Sequence, residues 1–88
     1  MLKPVRLTKF DKEVEKSKKR GLDMTKLRDV MTLLIQEDPL PEKHCNHKLK
    51  GSYKGYWDCH IEPDWILIYK KTNTHITFVR TGTHADLF

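Results

Sequence analysis

The sequence predicts an α+β fold in the order βααβββ, a small antiparallel sheet with a helical hairpin packed on one face. Two observations carry this reading. Apolar residues recur with a helical period in the first half, and from Gly51 onward the period changes to two. A third bounds it: 88 residues and 10.5 kDa allow one domain, residues 1–88, and no second core.

The elements follow in order. Leu2–Leu7 alternates loosely and contains Pro4, which cannot donate to a ladder, so it reads as an edge strand. Thr8 is a candidate helix cap, with Asp11 in the first turn complementing the helix dipole. Phe10 and Val14 share one face of that helix, lysines and glutamates cover the rest, and Gly21 stops it. Leu27, Val30, Met31 and Leu34 give the core stripe of a second helix, from about Met24 to Gln36. The short connection makes the two an antiparallel pair. Residues 38–50, with Pro39 and Pro41, read as a loop, and a loop of that length in a small domain is often functional.

Beyond Gly51, Tyr53, Gly55, Trp57 and Cys59 fall on one face of a strand, and Ser52, Lys54, Tyr56, Asp58 and His60 on the other. Glu62-Pro63-Asp64 is a turn. Trp65–Lys70 is a dense apolar strand suited to the sheet centre, Thr72-Asn73-Thr74 turns the chain, and His75–Thr81 completes a meander that Gly82 ends. Thr83–Phe88 is a short tail.

Charge and chemistry are segregated along the chain. Net charge is +5, and residues 1–50 hold the whole surplus, with 13 basic and 8 acidic side chains against 4 and 4 in residues 51–88. All five histidines, His44, His47, His60, His75 and His84, lie from residue 44 onward. A positive field attracts polyanions, although a lysine-rich helix also serves solubility alone. No apolar run reaches the length of a membrane span or a signal peptide, which predicts a cytoplasmic protein with no membrane partner. Cys45 and Cys59 are then expected as free thiols. Zinc is not expected, because Cys59 and His60, adjacent on a strand, point to opposite faces. No cofactor is implied.

A sheet covered on one side leaves its second face for a ligand. A face bearing His, Asp, Arg and aromatics suits single-stranded nucleic acid, with cations on phosphates and rings on bases. Metal-independent RNA cleavage needs a base for the 2′-OH proton, a cation near the phosphate and an acid for the leaving 5′-oxygen. Two histidines, or a His and an Asp, can serve near neutral pH. His47, His60, Asp64 and His84 are the candidates, with Arg80 as clamp. Each also has an ordinary reading. His44 and His75 read as exposed loop and turn residues, His60 as a turn cap, and Trp65 as core by periodicity. Arg80 could pair with Asp58 or Asp86.

The wording of the motifs narrows the choice. Gly51-Ser52-Tyr53-Lys54-Gly55-Tyr56, His60-Ile61-Glu62-Pro63-Asp64-Trp65-Ile66-Leu67-Ile68-Tyr69 and Arg80-Thr81-Gly82-Thr83-His84, with a closing Leu87-Phe88, closely resemble the YafQ toxins of the RelE/ParE superfamily. The resemblance is strongest over residues 22–88. It implies the RelE/ParE-like fold and a ribosome-dependent endoribonuclease, a type II toxin that cuts mRNA in the decoding site. It carries catalytic roles to His47, His60, Asp64 and His84, and substrate contacts to Lys54, Trp65, Arg80 and Phe88. It also implies an acidic DinJ- or RelB-like antitoxin, the ribosome and mRNA as partners, and operator DNA bound through the antitoxin. Trp57 departs from the pattern, standing where related sequences carry a basic residue. Two alternatives remain at this level. A ParE-like toxin acting on gyrase would need no histidine set, and a binding module would hold RNA or protein without cutting it.

Overall fold

A computed structural model describes residues 1–88. The order is β1 (Lys3–Arg6), α1 (Thr8–Lys19), α2 (Met24–Ile35), β2 (His47–Lys48), β3 (Trp57–Glu62), β4 (Trp65–Lys71), β5 (His75–Gly82) and α3 (His84–Leu87). The predicted βααβββ frame is present, with two additions. A two-residue strand, β2, lies inside the expected loop, and the tail after Gly82 coils into a single helical turn, α3.

The five strands are ordered β1-β5-β4-β3-β2. The β3–β4–β5 meander is antiparallel as expected, whereas β1 pairs with β5 in parallel, Lys3 opposite His75 and Arg6 opposite Phe78. β1 therefore covers only the first half of β5, and α1 turns away over the second half. There Glu13 accepts the otherwise free backbone N–H of Thr81 at 3.4 Å, so the helix blunts a sheet edge.

Thr8 is not the cap of α1 but its first residue; Leu7 holds the cap position and offers no side-chain acceptor. The helix ends as the sequence suggests. Gly21 takes φ +84°, its N–H bonds to Lys18 O and that of Leu22 to Ser17 O, the paired closure of a Schellman end. Asp23 caps α2 by accepting the Thr25 N–H at 2.9 Å.

Phe10 of α1 and Leu27, Val30 and Leu34 of α2 bury against Cys59, Ile61, Trp65, Leu67, Tyr69, Ile76 and Phe78. The second sheet face is not left bare, contrary to expectation. Ile66, Ile68 and Leu87 form a smaller core there, with Leu49, Tyr53, Tyr56 and Val79 packed on it. Those partners arise because the strand expected from Gly51 starts only at Trp57. Gly51 and Gly55 adopt φ +70° and +93° and bend residues 51–56 back over the sheet. From Trp57 onward the predicted alternation holds, with Cys59 toward the helices and Asp58 and His60 on the other face.

Candidate active site

Sheet register assembles the candidate residues. His47 lies opposite Asp58, Asp58 opposite Ile68 and Ile68 opposite Arg80, one row across four strands. His60, Ile66 and Gly82 form the next row. Arg80 reaches this face through an irregularity. Phe78 pairs with Tyr69 and Arg80 with Ile68, so Val79 is an extra residue that reverses the alternation. Ile76 and Phe78 therefore point to the helices, and so does Thr81, while Arg80 turns to the opposite side.

His84 opens α3, one residue beyond Thr83. Its Nδ1 lies 2.6 Å from Asp64 Oδ1, and its backbone N–H donates to the same oxygen at 2.9 Å. A carboxylate only accepts, so Nδ1 carries the proton and Nε2 is left to exchange one with a ligand. The two donors hold the Asp64 carboxyl below the usual range, the backbone bond contributing most. The His60 ring stands nearly perpendicular to His84, with centroids 5.4 Å apart.

α3 is itself anchored. Thr83 accepts the Asp86 N–H at 3.1 Å and Asp86 accepts the Thr83 N–H at 3.0 Å, a reciprocal capping box. Arg20, at the end of α1, donates to Asp86 at 2.8 Å. Through that chain of contacts the first helix fixes where His84 sits.

Asp58 is the component that sequence reasoning missed. Only 3% exposed, its carboxyl is pushed up by burial, against the opposing pull of His47, His60 and His84. Its Oδ1 is buried and accepts no well-aligned hydrogen bond, with His47 Nε2 at 3.1 Å as nearest partner. His47 Nδ1 donates to the Cys45 carbonyl at 2.7 Å. Neutral His47 thus turns a bare Nε2 toward Asp58, and one proton satisfies both. The sequence signal was present: an acidic residue on the His60 side of the period-two strand.

Arg80 pairs with neither the Asp58 nor the Asp86 carboxylate but with Glu13 of α1, Nη2 to Oε2 at 2.7 Å and Nε to Oε1 at 3.3 Å, touching Asp86 only at its backbone carbonyl at 3.4 Å. Its Nη1 donates to the Tyr53 hydroxyl at 3.3 Å. Glu13 is the first cause of a guanidinium held above its ordinary value. Tyr53 in turn meets Phe88 edge-on at 5.8 Å, and Phe88 is 61% exposed beside His84.

Two expectations change. Trp65 is 1% exposed, with its indole N–H donated to Thr81 Oγ1 at 3.0 Å. It is a core residue whose polar atom is satisfied, and it presents no face to a base. His44 is not an exposed loop residue. It is buried in a 3-10 turn, Glu42–His44, and donates from Nδ1 to the His60 carbonyl at 2.7 Å. Lys54 stands apart from the histidines, on the exposed bend beside Gly55. His75 is exposed as expected.

Over residues 2–88 the sequence matches the family described as the bacterial toxin of type II toxin–antitoxin system, YafQ. It is 55% identical over 80 residues to the mRNA interferase toxin YafQ of Escherichia coli K12, covering 90% of this chain and 87% of that one. The crystal structure of YafQ from E. coli BL21(DE3) superposes with a TM-score of 0.95 at 48% identity, over 100% of this chain and 99% of that one. The E. coli DinJ–YafQ complex gives 0.93 at 49% identity, over 100% of this chain and 99% of that one.

Proposed function

The chain belongs to the YafQ toxin family, and from that membership together with the geometry above we infer that it is an mRNA interferase, an endoribonuclease toxin held in check by a cognate antitoxin. The E. coli relative is solved bound to DinJ, and a partner of that type, acidic against this +5 chain, is the natural inhibitor. The substrate is single-stranded mRNA in the ribosomal decoding site.

The single observation that carries the chemistry is the Asp64–His84 pair facing His60 across 5.4 Å. A base removes the 2′-OH proton, the 2′-oxygen attacks phosphorus, and the bond to the 5′-oxygen breaks as an acid protonates it. A 2′,3′-cyclic phosphate and a 5′-hydroxyl result. His84 serves as the acid, with its protonated ring stabilised by Asp64 and its Nε2–H directed outward. Asp64 accepts two hydrogen bonds and its carboxyl is held low, so it orients His84. His60 is the better acceptor for the 2′-OH proton. His47, oriented by Asp58 at 3.1 Å and by the Cys45 carbonyl, lines the phosphate side of the site, and the single proton it shares with Asp58 leaves that pair neutral.

Arg80 reaches phosphate only if Glu13 releases part of its fork, because most of its donors are already taken. Phe88, exposed beside His84, offers a ring for a base next to the scissile bond. Purified protein should cut ribosome-bound message and leave 2′,3′-cyclic phosphate ends, with little cutting of naked RNA. Ends carrying a 5′-phosphate would overturn the acid–base reading, and equal cutting of naked RNA would overturn the ribosome requirement.

A further inference from the structure

Away from the histidine face, lysines of two strands and a bend gather around one indole without a carboxylate partner. The carboxylates of the fold pair elsewhere: Glu13 with Arg80, Asp86 with Arg20 and Lys16, Glu62 with Lys26, Asp11 with Arg6, and Asp58 and Asp64 with histidines. No ion pair involves Lys48, Lys50, Lys54, Lys70 or Lys71. Lys48, Lys50 and Lys54 line one cleft at the β2 edge and the bend that follows it, and Lys71 reaches that cleft over Trp57.

The arrangement is built by register and not by loose side chains. Lys48, Trp57 and Tyr69 lie opposite one another on β2, β3 and β4. Trp57 stacks on Tyr69 at 6.4 Å and 14°, and the Tyr69 hydroxyl is fixed by Asn46 at 2.6 Å. Lys48 Nζ stands 5.4 Å and Lys71 Nζ 5.5 Å from the Trp57 ring, so one indole gathers two ammonium groups from two strands. Lys70 sits over Tyr56 in the same manner at 5.7 Å. Beside Trp57 opens a cleft of about 540 Å³ lined by Lys48, Lys50, Lys54, Gly51 and Gly55. Neither glycine meets a neighbour where a side chain would start, so its floor is open.

We propose that this lysine–tryptophan cleft binds the sugar–phosphate backbone of single-stranded RNA, extending the message strand beyond the histidine face. The inference rests on the nuclease reading for the identity of the strand. Like-charged ammonium groups drawn together without a counterion make a site for a bridging anion. Two cations on one ring, Lys48 and Lys71 at Trp57, place ammonium groups for phosphate beside an aromatic surface for a base. Continuity with the active face favours RNA over an acidic protein. His47 and Lys48 are consecutive, the first opposite Asp58 and the second opposite Trp57. A strand passing the β2 edge therefore leaves one site and meets the other.

The test is fluorescence anisotropy of a labelled, unstructured RNA oligonucleotide, titrated with the full chain at several salt concentrations. The double variant Lys48→Ala/Lys71→Ala should flatten the log–log salt dependence by about 1.4, two single-strand phosphate contacts. Trp57→Leu should weaken binding and Trp57→Phe should restore most of it. Lys18→Ala/Lys19→Ala on α1, an equal loss of charge elsewhere, should leave the slope unchanged. Equal flattening by both double variants would reduce the effect to net charge and overturn the proposal, as would no flattening by the first. Tighter, Trp57-dependent binding of a polyglutamate peptide at the same salt would assign the surface to an acidic protein and overturn it as well. Binding needs no cleavage, so a chain that bound RNA through this cleft yet left messages uncut would uphold the inference while the nuclease reading failed.

Discussion

Asp64 Oδ1 receives two hydrogen bonds from one residue, the imidazole Nδ1–H of His84 at 2.6 Å and its backbone N–H at 2.9 Å. The carboxylate at a β-hairpin turn thus fixes both the ring and the helical turn that carries it. This makes the acid of the proposed reaction a joint product of two segments twenty residues apart.

Replacing the acid should be costly. His84→Ala is expected to lose about 10²–10⁴-fold in cleavage of ribosome-bound message, the range of acid–base catalysis, with ribosome binding retained. Asp64→Asn should lose less, because an amide oxygen can still accept the His84 Nδ1–H while offering the ring no charge. Single-turnover rates check both, and a parental rate in Asp64→Asn would remove Asp64 from the site.

Gly82 should matter through Asp86. A methyl group there would stand 2.9 Å from Asp86 Oδ2 and 3.0 Å from its Cβ, inside the capping box of α3. Gly82→Ala is expected to displace α3 and lower cleavage by about tenfold or more, the scale at which an ångström of misplacement tells. The far-UV circular dichroism should remain that of the parent.

Asp58 carries a pH signature. Its carboxyl is raised by burial, so the folded state binds a proton more tightly than the unfolded chain. Stability therefore falls as pH rises from the unfolded carboxyl range through the raised folded value, and the cost of the buried charge is complete above it. Asp58→Asn should melt a few degrees higher than the parent at pH 8. That advantage should shrink on acidification as Asp58 regains its proton. Melting curves at both ends of the range decide it. Cleavage should fall in the same variant, since His47 loses the carboxyl that orients its ring.

Two further variants separate core from site. Trp65→Ala should lose about 3–5 kcal/mol, as for any buried tryptophan, and the fraction that remains folded should still cleave. Glu13→Gln should cost about 1–3 kcal/mol by stripping Arg80 of its charged acceptor. Glu13→Gln/Arg80→Gln should recover part of that loss in chemical denaturation while remaining weak in cleavage.

Much of this could be read from residues in advance. The period of Leu27, Val30 and Leu34 and the dense run Trp65–Lys70 dictate their elements, and Gly21 ends α1 as its conformational freedom suggests. Other features depend on long-range contacts. The extra residue at Val79, which turns Arg80 away from the helices, has no sequence marker, because a bulge is chosen by the strand opposite. Glu13 and Arg80 are 67 residues apart and meet only because α1 lies against β5. Trp65 fits both a motif and an apolar period, and the period prevailed, because Thr81 satisfies the indole N–H within the core. Asp58 hid for the opposite reason, as a charged residue on a strand face that reads as solvent until Tyr53, Tyr56 and Leu49 fold over it.

The central claim is that His84 and His60 move protons in an attack by the 2′-hydroxyl. It is tested most directly by a message carrying a single 2′-deoxynucleotide on the 5′ side of the scissile phosphate, programmed into ribosomes beside its all-ribose counterpart. The account predicts cleavage of the all-ribose message and none at the deoxy position, with ribosome occupancy the same for both. Cleavage of the deoxy message at the parental rate would contradict it.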